Sequence, residues 1–167
     1  MEIRLQNTSS NNNYTLHFSG QDLLKLKEAE GKKLTGVIYH NWINKSNPNE
    51  LFEFLEKLEL RFDRGSLVIT VPETEEDGLQ VAHDFDAEKQ RLLLLHEFNG
   101  KIDIRSDEMS NNVLWENAIN KTLHSIRLVH ENGTEFSNAS ILLDFGDEQL
   151  EIRPGMDGVI VEPYDEV

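Results

Sequence analysis

"LELRFDRGSLVIT", residues 58–70, has an ungapped echo in "ILLDFGDEQLEIR", residues 141–153. The overlay sets Leu60 on Leu143, Phe62 on Phe145, Leu67 on Leu150 and Ile69 on Ile152. In both copies apolar and polar residues alternate on either side of a polar turn, "DRG" or "GDE", as in a hairpin with one buried face. Pro72 and Pro154 then end the pairing, because proline has no N–H to give to a ladder. Residues in this pattern build a core; they do not act on a substrate.

The echo extends in both directions. Shifting residues 22–39 onto 111–128 pairs Ala29 with Ala118, Lys32 with Lys121, Leu34 with Leu123, Val37 with Ile126 and Tyr39 with Leu128. Downstream, Asp77-Gly78 and Asp157-Gly158 keep the same order before a last strand. The pattern predicts a strand-rich α+β fold of two tandem units, residues 1–87 and 88–167. Each has a hairpin, one short helix and a three- to four-strand antiparallel meander. A unit of this size buries little alone, so the two are expected to pack as one body with pseudo-twofold symmetry.

Local signals give the expected elements. Residues 1–6 and 14–18 alternate as a strand pair, and "GQDLLKLKEAE" reads as a short amphipathic helix after Ser19, stopped at Gly31. "KLTGVIYHNWI", 33–43, is β-branched and aromatic, hence a strand. "LFEFLEKLEL" suits helix and strand periods alike, and "LQVAHDF" reads as a strand. Residues 89–98 and 101–105 flank Asn99-Gly100 and predict a hairpin. Ser110 to Lys121 predicts a helix with Ser110 as its N-cap and Trp115 on its apolar face. "TLHSIRLVHE" and "VIVEP" predict further strands.

Sixteen Lys and Arg against thirty-one Asp and Glu give a formal charge of −15, which repels nucleic acid and anionic lipid and attracts basic surfaces. The chain has no Cys, which excludes thiol catalysis, disulfides and Cys-ligated zinc. The N-terminus shows neither the basic nor the apolar part of a secretory signal, and the longest apolar run, "LLLL" at 92–95, is far short of a membrane span. A soluble cytoplasmic protein is the expectation.

The search for chemistry returns little. His124 and His130 share a strand face but stand about 20 Å apart at ~3.3 Å per residue, so they do not share an ion. His83 and Phe85 alternate with Asp84 and Asp86, and no His-x-x-x-His helix or calcium loop occurs. There is no nucleophile elbow, phosphate loop or dinucleotide fingerprint. No catalytic residue, cofactor or metal is therefore assigned. What remains is charge and aromatics: Glu73, Glu75, Glu76 and Asp77 in the acidic run, Asp84 and Asp86, and Trp42 and Tyr164 at element ends, as candidate partner-binding residues. The expected function is an acidic, non-enzymatic protein that captures or inhibits a basic protein partner, as an immunity protein does with a toxin. Two alternatives stand beside it. One is a small enzyme or ligand-binding protein with a histidine and carboxylate cleft between the halves, supported if His40 or His83 meets acids of the other half. The other is an assembly subunit forming homo-oligomers.

Overall fold

A computed structural model of the chain describes residues 17–72, 78–131 and 135–165. Most of the expected N-terminal strand pair and the acidic run lie outside them. Helix α1, Gly20–Ala29, starts where Ser19 accepts a hydrogen bond from the Asp22 N–H at 3.1 Å. It buries Leu26 and Ala29. Gly31 follows with φ +85°, a conformation glycine adopts without the steric cost that a Cβ brings.

Next come β1 (Leu34–Asn44), β2 (Phe52–Phe62), β3 (Ser66–Thr70) and β4 (Gln80–Val81). The ambiguous stretch 51–60 is strand, because its apolar residues find partners across the ladder: Val37 faces Leu60, and Leu60 faces Leu67. Helix α2 (Ala87–Glu97) and β5 (Ile102–Glu108) follow, and β5 pairs antiparallel with β1. The first sheet therefore has the order β4-β3-β2-β1-β5. The second consists of β6 (Ser125–Arg127), β7 (Ile141–Asp144), β8 (Gln149–Pro154) and β9 (Val159–Pro163), paired in chain order.

Two expectations fail here for identifiable reasons. Residues 89–98 form a helix, and Asn99-Gly100 is not a hairpin turn. Asp86 caps the helix by accepting from the Lys89 N–H at 3.1 Å, and its Lys, Gln, Arg and Leu residues are good helix formers. Asn99 and Gly100 both have positive φ, +54° and +79°, and the Gly100 N–H returns to the Leu95 carbonyl at 2.8 Å. A helix stop requires the same left-handed backbone as a tight hairpin, so Asn-Gly satisfies either. Residues 110–120, expected as a helix, are instead a chain of turns. The Trp115, Ala118 and Lys121 N–H groups bond to Asn112, Trp115 and Ala118 carbonyls, three residues back. Asn112 draws the Leu114 N–H to its own side chain at 2.9 Å, a local bond that competes with the helix. Ser110 is no N-cap: its Oγ accepts from the Val37 N–H at 3.0 Å.

The expected long strands "LQVAHDF" and "TLHSIRLVHE" shorten to Gln80–Val81 and Ser125–Arg127. His130 adds an isolated bridge to Phe136. The opening hairpin and its echo have the same register. Leu58 and Leu60 face Ile69 and Leu67, as Ile141 and Leu143 face Ile152 and Leu150. All eight of these side chains are buried in one shared core with Trp115, which is 0% exposed.

The sheets are joined where β1 begins and β6 approaches. Gly31 and Leu34 donate backbone hydrogen bonds to Leu123 and Lys121, while Asn120 and Leu123 donate to Leu34 and Lys32. Lys33 faces Thr122 in an antiparallel bridge. Asn120 holds φ +70° there, where any non-glycine residue is strained and asparagine least. Asn120→Ala is expected to cost about 1 kcal/mol while Asn120→Gly holds stability near the wild-type value, as urea unfolding midpoints would show.

Candidate functional site

A β-bulge organises the exposed aromatic residues. One step on β1, from His40 to Asn41, is matched by two on β2, from Lys57 to Leu55, so Glu56 is the extra residue. Beyond the bulge Trp42 faces Phe54, and their rings lie 6.1 Å apart at 23°. Phe52, two residues earlier, tilts against Phe54 at 5.6 Å. These rings form a platform at the end of the first sheet.

Three further segments wall the platform into a groove of about 540 Å³. They are Phe98 at the end of α2, Val71 and Pro72 after β3, and the β8–β9 turn with Met156 and Asp157. The turn sits close because of Gly158. A methyl group there would come within 2.2 Å of the Leu55 carbonyl oxygen and 2.8 Å of the Phe54 ring. The turn is closed by a hydrogen bond from the Gly155 N–H to the Gly158 carbonyl at 2.6 Å. Met156 at its tip is 82% exposed. The charged residues lining the groove, Glu56 and Asp157, are both acidic. Glu56 accepts from Lys57 Nζ at 2.8 Å and from Gln90 Nε2 at 3.2 Å, which ties α2 to the bulge.

The expected site residues are only partly gathered. Trp42 lies in the groove, and Pro72, the residue before the acidic run, lines it. Glu73, Glu75, Glu76 and Asp77 fall outside the described residues. Asp86 caps α2, and exposed Asp84 lines a separate depression with Lys25 and His83. Tyr164 follows the far end of β9 from the groove's turn, its N–H bonded to the Gln149 carbonyl at 2.9 Å. Sequence reading missed Phe54, Glu56, Phe98, Met156 and Asp157 as groove residues. Phe52 and Phe54 in alternation carried a strand-face signal, but the bulge that aims them had none.

His40 and His83 meet carboxylates of their own half, whereas His17 Nδ1 lies 3.0 Å from Glu135 Oε2 of the other. His83 Nε2 lies 3.0 Å from Asp22 Oδ1, while Asp22 Oδ2 accepts from the Val81 N–H at 3.3 Å. His40 lies between Ser106 Oγ, 2.7 Å from Nδ1, and Glu59 Oε1, 2.7 Å from Nε2. With its proton on Nε2, His40 donates to Glu59 and accepts from Ser106, the order of a serine relay. His40 is 3% exposed, however, and the Phe85 ring covers it edge-on at 4.9 Å. The imidazole therefore has no open face for a substrate, and the three side chains satisfy one another on a covered sheet face. Among the described residues no three His, Asp or Glu side chains cluster with metal-binding geometry. Nor is any helix among them long and apolar enough to cross a membrane.

Compared with known proteins, the chain matches no family model, no curated protein and no solved structure.

Burial pushes the Glu59 carboxyl upward, but hydrogen bonds from Arg61 and His40 outweigh it and hold the group below its ordinary 4.5. A depressed carboxyl stabilises the fold above its unfolded value and ceases to do so as pH falls through the lowered one. Glu59→Gln is expected to cost about 1–3 kcal/mol at neutral pH. The gap from wild type should then narrow as pH drops below the ordinary carboxyl range. Urea unfolding midpoints measured from pH 7 to pH 3 would check this; a constant gap would contradict it.

Proposed function

We propose that the protein is an acidic binding protein that captures a basic protein partner on the face containing the Trp42 groove. An immunity protein that blocks a toxic enzyme is the form that best fits such a role. The observation that carries the reading is the groove itself: aromatic and aliphatic side chains exposed at one sheet end, with Glu56 and Asp157 as its charged lining. Apolar anchors inside an acidic rim are what hot-spot interfaces with basic partners require. The charge of −15 adds long-range steering, which speeds encounter and weakens with salt. Leu51, Phe52 and Phe98, all exposed, extend the apolar surface near the platform.

The same reading includes tandem construction from two units, 1–87 and 88–167. Its support is reciprocal. Leu34 bonds to Lys121 as Leu123 bonds to Lys32, and Gly31 bonds to Leu123 as Asn120 bonds to Leu34. Each pair maps onto the other under the sequence overlay. Gly158 presses on Leu55, and a methyl at Gly78 would meet Asn138 Oδ1 at 2.5 Å, another matched set. A rigid body of this kind presents its groove without the ordering cost of a flexible loop.

Affinity capture from the native cell with the wild-type protein and with Trp42→Ala, at low and high salt, tests the binding role. The expected result is one basic protein retained by wild type at low salt, depleted at high salt and lost with the variant. Equal recovery on both proteins would contradict the groove as the docking face, and recovery insensitive to salt would contradict an electrostatic partner.

A further inference from the structure

We propose that the groove is an arginine side-chain site, in which a guanidinium stacks on the Trp42–Phe54 platform while Asp157 accepts its N–H groups. The inference rests on the reading of the protein as a binder of basic partners and names the group that is bound. Three observations carry it. The two rings stack on each other, 6.1 Å apart at 23°, and both line the groove, so the pair offers an occupant a planar aromatic face. A planar cation matches such a face, because the ring quadrupoles attract positive charge and guanidinium sheds its water more readily than ammonium.

The second observation is the position of the carboxylates. Asp157 is exposed on the turn that walls the groove, and no hydrogen bond or ion pair reaches its side chain among the described residues. Glu56, on the same lining, already holds Lys57 and Gln90 through Oε1. Asp157 is thus the lining carboxylate with both oxygens left for an incoming fork of N–H donors, and Glu56 adds field. The third is size: about 540 Å³ exceeds what one guanidinium fills, leaving room for the aliphatic stem along Met156 and Phe98.

A lysine would find charge but no planar match, and an aromatic anchor would leave Asp157 unused. The protein already contains a smaller case of the same attraction, with Lys57 Nζ 5.2 Å from the centroid of the Phe85 ring.

The chain has two tryptophans, so their indole N–H resonances make a direct probe with an internal control. Trp115 donates its indole N–H to the Tyr39 hydroxyl at 2.8 Å in the core and should not respond. Trp42→Phe assigns the other resonance. The intact protein is titrated with Nα-acetyl-arginine amide, with its neutral isostere Nα-acetyl-citrulline amide and with Nα-acetyl-lysine amide. The expected result is a saturable shift of the Trp42 resonance with arginine and about tenfold weaker response to citrulline, the loss of one cation–π contact. Lysine should fall between them, and Asp157→Asn should weaken arginine while leaving the unfolding midpoint unchanged. Equal responses to arginine and citrulline would overturn the proposal in favour of a neutral apolar site. No response of Trp42 to arginine would overturn it too. Loss of the wider binding role is a separate outcome: there, capture of a basic partner fails whatever the small-molecule titration gives.

Discussion

The antiparallel joint between residues 31–34 and 120–123 is the constraint on which the rest of the structure depends. Its backbone hydrogen bonds run both ways, from each segment to the other. They set where β1 leaves toward the first sheet and β6 toward the second. Once those directions are fixed, the alternating side chains of both meanders point inward, and Leu58, Leu60, Leu143 and Leu150 fill one core with Trp115. Neither sheet would bury its apolar face alone; each is the other's cover.

Much of this was legible in the sequence, because alternation with turn chemistry leaves few alternatives. The echoed hairpins appear with their expected faces, and Pro154, last residue of β8, comes where pairing with β7 has ceased. What was illegible had two physical sources. Asn99-Gly100 states only that the backbone is left-handed, and whether a helix or a strand precedes it depends on the Asp86 cap and on packing against β5. The turn-rich segment around Trp115 has helical spacing in its apolar residues, yet four asparagines between 111 and 120 offer local bonds that helix cannot match. The candidate site was least legible. Trp42 was visible as an aromatic at a strand end, but its companions come from β2, α2 and the β8–β9 turn, and only the bulge at Glu56 brings Phe54 onto the same face.

The bulge and the turn illustrate how a plain sheet acquires a surface with character. An unbroken β1–β2 ladder would have put Phe54 on the face opposite Trp42, since a shift of one residue exchanges the faces of a strand. Gly158 then lets the β8–β9 turn approach closer than any side chain would permit. The groove is thus produced by two departures from regularity, one extra residue and one missing Cβ. Elsewhere the same face stays closed: Phe85 lies over His40, and the relay of Ser106, His40 and Glu59 is taken up in holding strands together.

The order of the first sheet has a consequence for how the chain is made. Strand β5 pairs with β1 although all of β2, β3, β4 and α2 lie between them in sequence. A chain emerging from the ribosome N-terminus first can form the β1–β2–β3 ladder early, yet β1 keeps an unpaired edge until residue 108 has been synthesised. The joint closes later still, when residue 123 emerges. During that interval an incomplete sheet with a bare strand edge and an uncovered core face is exposed to other nascent chains. The aggregation hazard of vectorial synthesis therefore lasts until β7–β9 have followed and covered that face.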